Sequence, residues 1–170
     1  MGGPATRSVT AHLLVVHHSP TASVQALTDA LIAGANDEAI EGVVVVVRPA
    51  LEANAADVLA ADGYLLLTPA NFGYMSGALK HFFDTIFLEA GGALADDGSA
   101  GEGAGTPKPF GLLVHGRYDT EGAVRSVLSI VQALRWKQSA EVLSVLGDVG
   151  EDDTAAAYEL GATVAALLAG

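Results

Sequence analysis

The stretch Gly63–Asp84 constrains the fold more than any other part of the chain. Tyr64–Thr68 is an uninterrupted, mostly apolar run, the composition of a strand covered on both faces in a parallel sheet. Pro69 follows, without an amide hydrogen for a sheet ladder, and predicts that the strand stops there. Gly73 opens the loop to backbone conformations or close approaches that a side chain would block. Ser76 then caps a predicted helix in which Leu79, Phe82, Phe83 and Ile86 follow helical spacing. A loop at the carboxyl end of a strand in an open α/β sheet is where such folds bind ligands.

The rest of the chain repeats this alternation. Residues 1–10 are small and polar and predict a flexible N-terminus. His12–His17 reads as a first strand, and the segment opening at Ser19 as a helix with Val24, Leu27 and Leu31 on one face and Gly34 as its stop. Val43–Val47 is five valines in succession, a second strand ended by Pro49. A short alanine-rich helix over 53–60 leads back to Tyr64. Phe110–His115 is the fourth strand, Gly116–Gly122 its exit loop, and Val124, Val127, Leu128, Val131 and Leu134 one helix face. Glu141–Leu146 is the fifth strand. Glu151, Asp152 and Asp153 suit the N-terminus of a last helix carrying Leu160, Val164 and Leu167.

Only residues 88–108 break the rhythm, with a glycine-rich run that has no regular period. So long a loop serves as a lid, an oligomer contact or a disordered segment. Five strands alternating with helices imply a parallel sheet with right-handed crossovers. The expected organisation is one domain over 11–170 with an insertion at 88–108.

Bulk composition removes several classes of function. A net charge of -12 with eight Lys plus Arg leaves no basic surface for nucleic acid. The absence of cysteine excludes disulfides and thiolate metal sites. No apolar run reaches the ~20 residues of a membrane span, and no signal peptide opens the chain, so a cytoplasmic protein is expected. There is no G-x-S-x-G elbow, Walker motif or G-x-G-x-x-G after the first strand, which removes the usual hydrolase, ATP and NAD fingerprints. His17, His18 and His115 could converge at the carboxyl edge of the sheet. They lack helical ligand spacing and accompanying carboxylates, so no metal is expected.

Thr68–Asp84, read as T-P-x-x-F-G-x-M-S-G-x-L-K-x-F-x-D, resembles the flavin-contacting loop and helix of the flavodoxin-like superfamily, in its branch of NAD(P)H-dependent FMN and quinone reductases. The resemblance implies a flavodoxin-like three-layer sandwich with strand order 2-1-3-4-5 and helices on both faces. It implies FMN as cofactor, with Pro69, Ala70, Asn71, Phe72 and Gly73 against the isoalloxazine ring. Ser19, Thr21, Ala22, Ser23 and Val24 occupy the place of the superfamily's S-x-T-G-N-T phosphate loop. Ser19 and Thr21 match it, whereas Ala22, Ser23 and Val24 depart from it, and one hydroxyl donor is missing. His115, Gly116 and Tyr118 fall where the family approaches the flavin from its other side, without the family's tandem glycines.

The activity implied is transfer of electrons from NAD(P)H to a quinone, flavin or similar small-molecule acceptor. A homodimer or homotetramer is implied too, and the Phe82–Leu88 run is wider than one core-facing stripe. The alternatives are an electron carrier docking to a redox partner, which the acidity favours, and a fold homologue with weak or no flavin binding, which the altered phosphate loop favours.

Overall fold

A computed structural model describes residues 9–103 and 106–170. The flexibility expected of residues 1–10 therefore falls almost wholly outside the described residues. The central strands are β1 (Ala11–His17), β2 (Val43–Pro49), β3 (Gly63–Asn71) and β5 (Pro109–Gly116). They lie parallel in the order β2-β1-β3-β5. The fifth position is shared by two short strands, each paired with β5: β6 (Lys137–Gln138) beside its start and β7 (Leu143–Leu146) beside its end. The expected order 2-1-3-4-5 is therefore present. Its last strand begins at Leu143 rather than Glu141, and the polar β6 carries no pattern that would have predicted it.

Side-chain alternation along these strands feeds two cores. Leu14, Val16, Tyr64, Leu66, Leu112 and Val114 point to one face, against α2 (Ala55–Ala60), α3 (Gly77–Ile86) and α4 (Glu121–Ala133). Leu13, Val15, Leu65, Leu67, Leu113 and Val145 point to the other, against α1 (Ala22–Ala35) and α5 (Glu151–Leu168). Helices on both faces explain why β3 has no polar residue in its centre.

Four expectations need correction. The third strand does not stop at Pro69. The Leu67 carbonyl accepts from the His18 amide, which ends the ladder with β1. Pro69, two residues on, turns the same way, toward a side where β1 has already finished, so its missing amide hydrogen leaves no acceptor unpaired. The strand continues to Asn71 and folds back on β4 (Tyr74–Met75) in a two-residue hairpin. Phe72 and Gly73 both adopt positive φ, 51° and 75°, as a type I′ turn requires.

Gly34 is not a helix stop either. The helix runs on to Ala35 with Asn36 as its cap. A Cβ on Gly34 would overlap the Tyr158 carbonyl, and one on Gly161 the Leu31 carbonyl. Paired glycines let α1 and α5 cross backbone to backbone. Leu167 is exposed at 55%, and the buried face of α5 is instead Ala157, Leu160, Gly161, Val164 and Ala165. Finally, the Phe82–Leu88 run is mostly internal. Phe82, Phe83 and Ile86 are fully buried in the chain's own core, leaving Phe87 half-buried and Leu88 exposed.

Candidate functional site

Three loops leave the carboxyl edge of neighbouring strands and therefore stand side by side: β1–α1, β3–α3 and β5–α4. Every residue singled out by sequence for the flavin lies in one of them, at the carboxyl end of the strand that leads into it, or in the first turn of α1.

In the β1–α1 loop, Thr21 is the N-cap of α1, and its Oγ1 accepts from the Val24 amide at 3.3 Å. Ser23 is exposed and Val24 is buried. Val24 thus belongs to the core and offers a ligand only backbone. Ser19 Oγ lies 2.8 Å from His17 Nδ1 and 2.6 Å from Thr28 Oγ1. Thr28, fully buried, gives its own hydroxyl proton to the Val24 carbonyl at 3.0 Å. A serine hydroxyl has one proton, so Ser19 spends it on Thr28 and is not a free donor. The amides of Ala22 and Ser23 open the helix without intrahelical acceptors, at the positive end of a fourteen-residue helix. Thr28 escaped the sequence reading, and His17 was weighed only as a metal ligand, because the contacts that join them through Ser19 span a loop and two helical turns.

In the second loop, the I′ turn projects Phe72 wholly into solvent, at 108% relative exposure. Thr68, buried behind it, accepts from the Ser76 amide at 2.9 Å and donates to the Pro69 carbonyl at 2.8 Å. Ser76 Oγ in turn accepts from the Leu79 amide at 3.1 Å and starts α3, as expected. Pro69 is buried, Ala70 half-buried, and Asn71 and Gly73 exposed. Met75, beside the loop, is a core residue, while Tyr74 is partly exposed. The turn rests on α4: a Cβ on Gly122 would overlap the Gly73 carbonyl oxygen.

In the third loop, His115 Nε2 meets the Gly147 carbonyl at 2.7 Å. His115 is thereby tied to the loop after β7, and His17 to Ser19, so the two rings serve separate contacts. Gly116 is buried in a tight turn where a Cβ would crowd the Asp119 carbonyl. Tyr118 is 90% exposed. Arg117 pairs with Asp148 at 2.8 Å, and that hydrogen bond raises the pKa of its guanidinium.

His17 is half-buried. Burial first, and then neighbouring His18, hold its pKa below the ordinary histidine value, with Asp29 opposing. The imidazole is therefore neutral at neutral pH. Among the described residues, no group of three or more His, Asp or Glu is arranged to hold a metal ion.

The residues present fit FMN: unpaired first-turn amides for an anion, a glycine-supported turn, and aromatic rings exposed on loops that follow adjacent strands. Fold and loops together define a flavodoxin-like α/β protein. The chain belongs to the NADPH-dependent FMN reductase family, whose description residues 21–147 match. That membership makes it a flavin-binding oxidoreductase with FMN as the flavin. A flavodoxin of Aquifex aeolicus (strain VF5) is 30% identical over 126 residues, covering 65% of this chain and 67% of the relative. A flavodoxin from the domain Archaea superposes with a TM-score of 0.74 at 15% identity, over 92% of this chain and 98% of the other. A flavodoxin, WrbA-like protein from Agrobacterium tumefaciens gives 0.68 at 16% identity, over 94% and 98%. Among the described residues no helix is long and apolar enough to cross a membrane.

Proposed function

We propose that this chain is an FMN-dependent reductase that takes electrons from NADH or NADPH and delivers them to a quinone, a flavin or a similar small-molecule acceptor. The observation that carries the reading is the Phe72–Gly73 turn, which holds an aromatic ring fully in solvent in a strained conformation beside the phosphate-ready end of α1. Strain of this kind persists where the surrounding structure enforces it for a purpose. The Ala22 and Ser23 amides and the Ser23 hydroxyl meet the phosphate. The turn from Pro69 to Gly73 meets one side of the flavin, and His115, Gly116 and Tyr118 the other. FMN bound there supplies hydride acceptance and onward electron transfer. The chain's own work is to position the flavin and to leave its face open.

Anaerobic stopped-flow with the FMN-loaded protein tests this. Direct reduction by NADH or NADPH and reoxidation by a quinone are expected. If neither nucleotide reduces the flavin and a reductase protein does, the chain is a carrier. The Aquifex relative, named a flavodoxin, and the net charge of -12 favour that second reading.

For assembly, the reading is a homodimer or homotetramer. Half-buried Phe87 and exposed Leu88 and Leu94 border a 380 Å³ cavity between α3, α4 and the glycine-rich segment, apolar surface that an isolated subunit would leave wet.

A further inference from the structure

We infer that His17 is the counter-charge of the phosphate subsite, taking up a proton when FMN binds to the β1–α1 loop. The inference rests on the assignment of FMN to this edge and adds the source of its charge balance.

An anion at a helix N-terminus is stabilised by amides and dipole, yet most of the charge here works against it. The loop from Ser19 to Val24 contains no Lys or Arg, and the chain carries a net charge of -12. Two imidazoles, His17 and His18, stand beside the loop, and it is His17 whose hydrogen bonds are arranged for taking up a charge. Thr28 commits its proton to the Val24 carbonyl, so Ser19 donates to Thr28 and accepts from His17. Nδ1 therefore bears the hydrogen and Nε2 is left as the basic atom. Protonation at Nε2 adds a charge and breaks no member of the chain. The opposite tautomer would have to give up its contact with Ser19 to do the same.

The surroundings of the ring favour this reading. Its partners across the sheet, Pro49 on β2 and Leu67 on β3, are uncharged. The charged or titratable groups acting on it are His18, in the same loop, and Asp29, on α1. In the free protein burial keeps the ring neutral. A dianion at the end of α1 reverses that preference, because an opposite charge nearby favours the charged form. The proton comes from solvent and returns when the flavin leaves. FMN affinity then rises as pH falls from 8 toward 6, and riboflavin, lacking the phosphate, does not follow.

Calorimetric titration of the flavin-free protein with FMN and with riboflavin, in two buffers of different ionisation enthalpy, reads the proton directly. At pH 7 the flavin phosphate is mostly dianionic, its second pKa being about 6. Net proton uptake is expected on binding of FMN, and none with riboflavin. Nitrogen-15 spectra of the His17 ring should pass from the Nδ1–H tautomer to imidazolium on FMN addition. His17→Asn keeps an N–H for Ser19 but cannot be protonated. It should bind FMN about tenfold more weakly at pH 6, the size of effect that losing an opposite charge nearby produces, with no uptake and unchanged riboflavin affinity. Tight FMN binding without proton uptake, or uptake that survives in His17→Asn, overturns the inference alone. Failure of FMN to bind at all overturns the site assignment with it.

Discussion

Gly122 lies directly beneath the carbonyl oxygen of Gly73, closer than any side chain would permit. The first turn of α4 is thus the floor on which the Phe72–Gly73 turn stands. Gly122→Ala is expected to push that turn away, at a cost of about 1–3 kcal/mol typical of overpacking. Flavin titration should show weaker FMN binding, and denaturant unfolding a lower midpoint. A variant that binds and unfolds like the parent would show that the turn is not supported from below.

Phe72 opposes stability to function. Its φ of 51° is disfavoured for a side-chain-bearing residue by about 1–2 kcal/mol. Phe72→Gly should therefore raise the melting temperature of the flavin-free protein by about 2–8 °C for a domain of this size. Loss of the aromatic contact should weaken FMN by about threefold to tenfold. Differential scanning calorimetry and fluorescence titration read the two effects separately.

Thr21 separates capping from binding. Because its Oγ1 caps α1, Thr21→Ala should cost about 0.5–2 kcal/mol of stability, whether or not flavin is present. Thr21→Asp keeps a capping oxygen and suits the helix dipole, so the flavin-free protein should lose nothing. Its carboxylate would still face the phosphate and weaken FMN at least about tenfold, an effect of about 1.4 kcal/mol. Equal FMN affinity in parent and Thr21→Asp would mean the phosphate lies elsewhere.

These three sites show how far the sequence could be read. The Val24–Leu27–Leu31 face, the Tyr64–Thr68 strand and the Ser76 cap were legible because each depends on residues within two turns or one strand. Pro69 was misread because the consequence of a missing amide hydrogen depends on where β1 ends, which is set by pairing rather than by local order. Gly34 was misread because its partner, Tyr158, is distant in sequence. Ser19 matched a phosphate loop by position, while its hydroxyl proton belongs to Thr28, nine residues on. The apolar excess at Phe82, Phe83 and Ile86 was real, and the chain's own core takes it.

The depressed pKa of His17 sets a pH dependence in the flavin-free protein. The folded form binds this proton less readily than the unfolded chain. Stability is therefore undiminished above the unfolded value of about 6.5 and falls as pH drops from there through the lower folded value. Asp37, held below the usual carboxylate range chiefly by its bond from Tyr158, adds a further loss only at more acidic pH. Urea unfolding between pH 7.5 and 5.5 should show a decline in the parent that is shallower in His17→Asn. Parallel curves would remove His17 as the titrating group.

Assembly is tested at Leu88 and Leu94. Light scattering at micromolar concentration should give two or four times the chain mass of 17.2 kDa. Leu88→Glu should shift the mass downward without altering the melting temperature of the monomer. A parent that is already monomeric would leave the cavity between α3 and α4 as an internal feature of one subunit.

The glycine-to-glycine crossing of α1 and α5 has a consequence for synthesis. A ribosome releases β1, the phosphate-ready turn and α1 long before it makes the eighteen-residue α5. Until then the buried face of α1 has no lid, and Gly34 presents an open notch where Tyr158 will lie. Nascent chains tend to fold in units as they emerge, but here the earliest unit is held by the latest. The growing polypeptide can pair its strands and form its turns, yet the close crossing that covers α1 waits for the final helix to arrive.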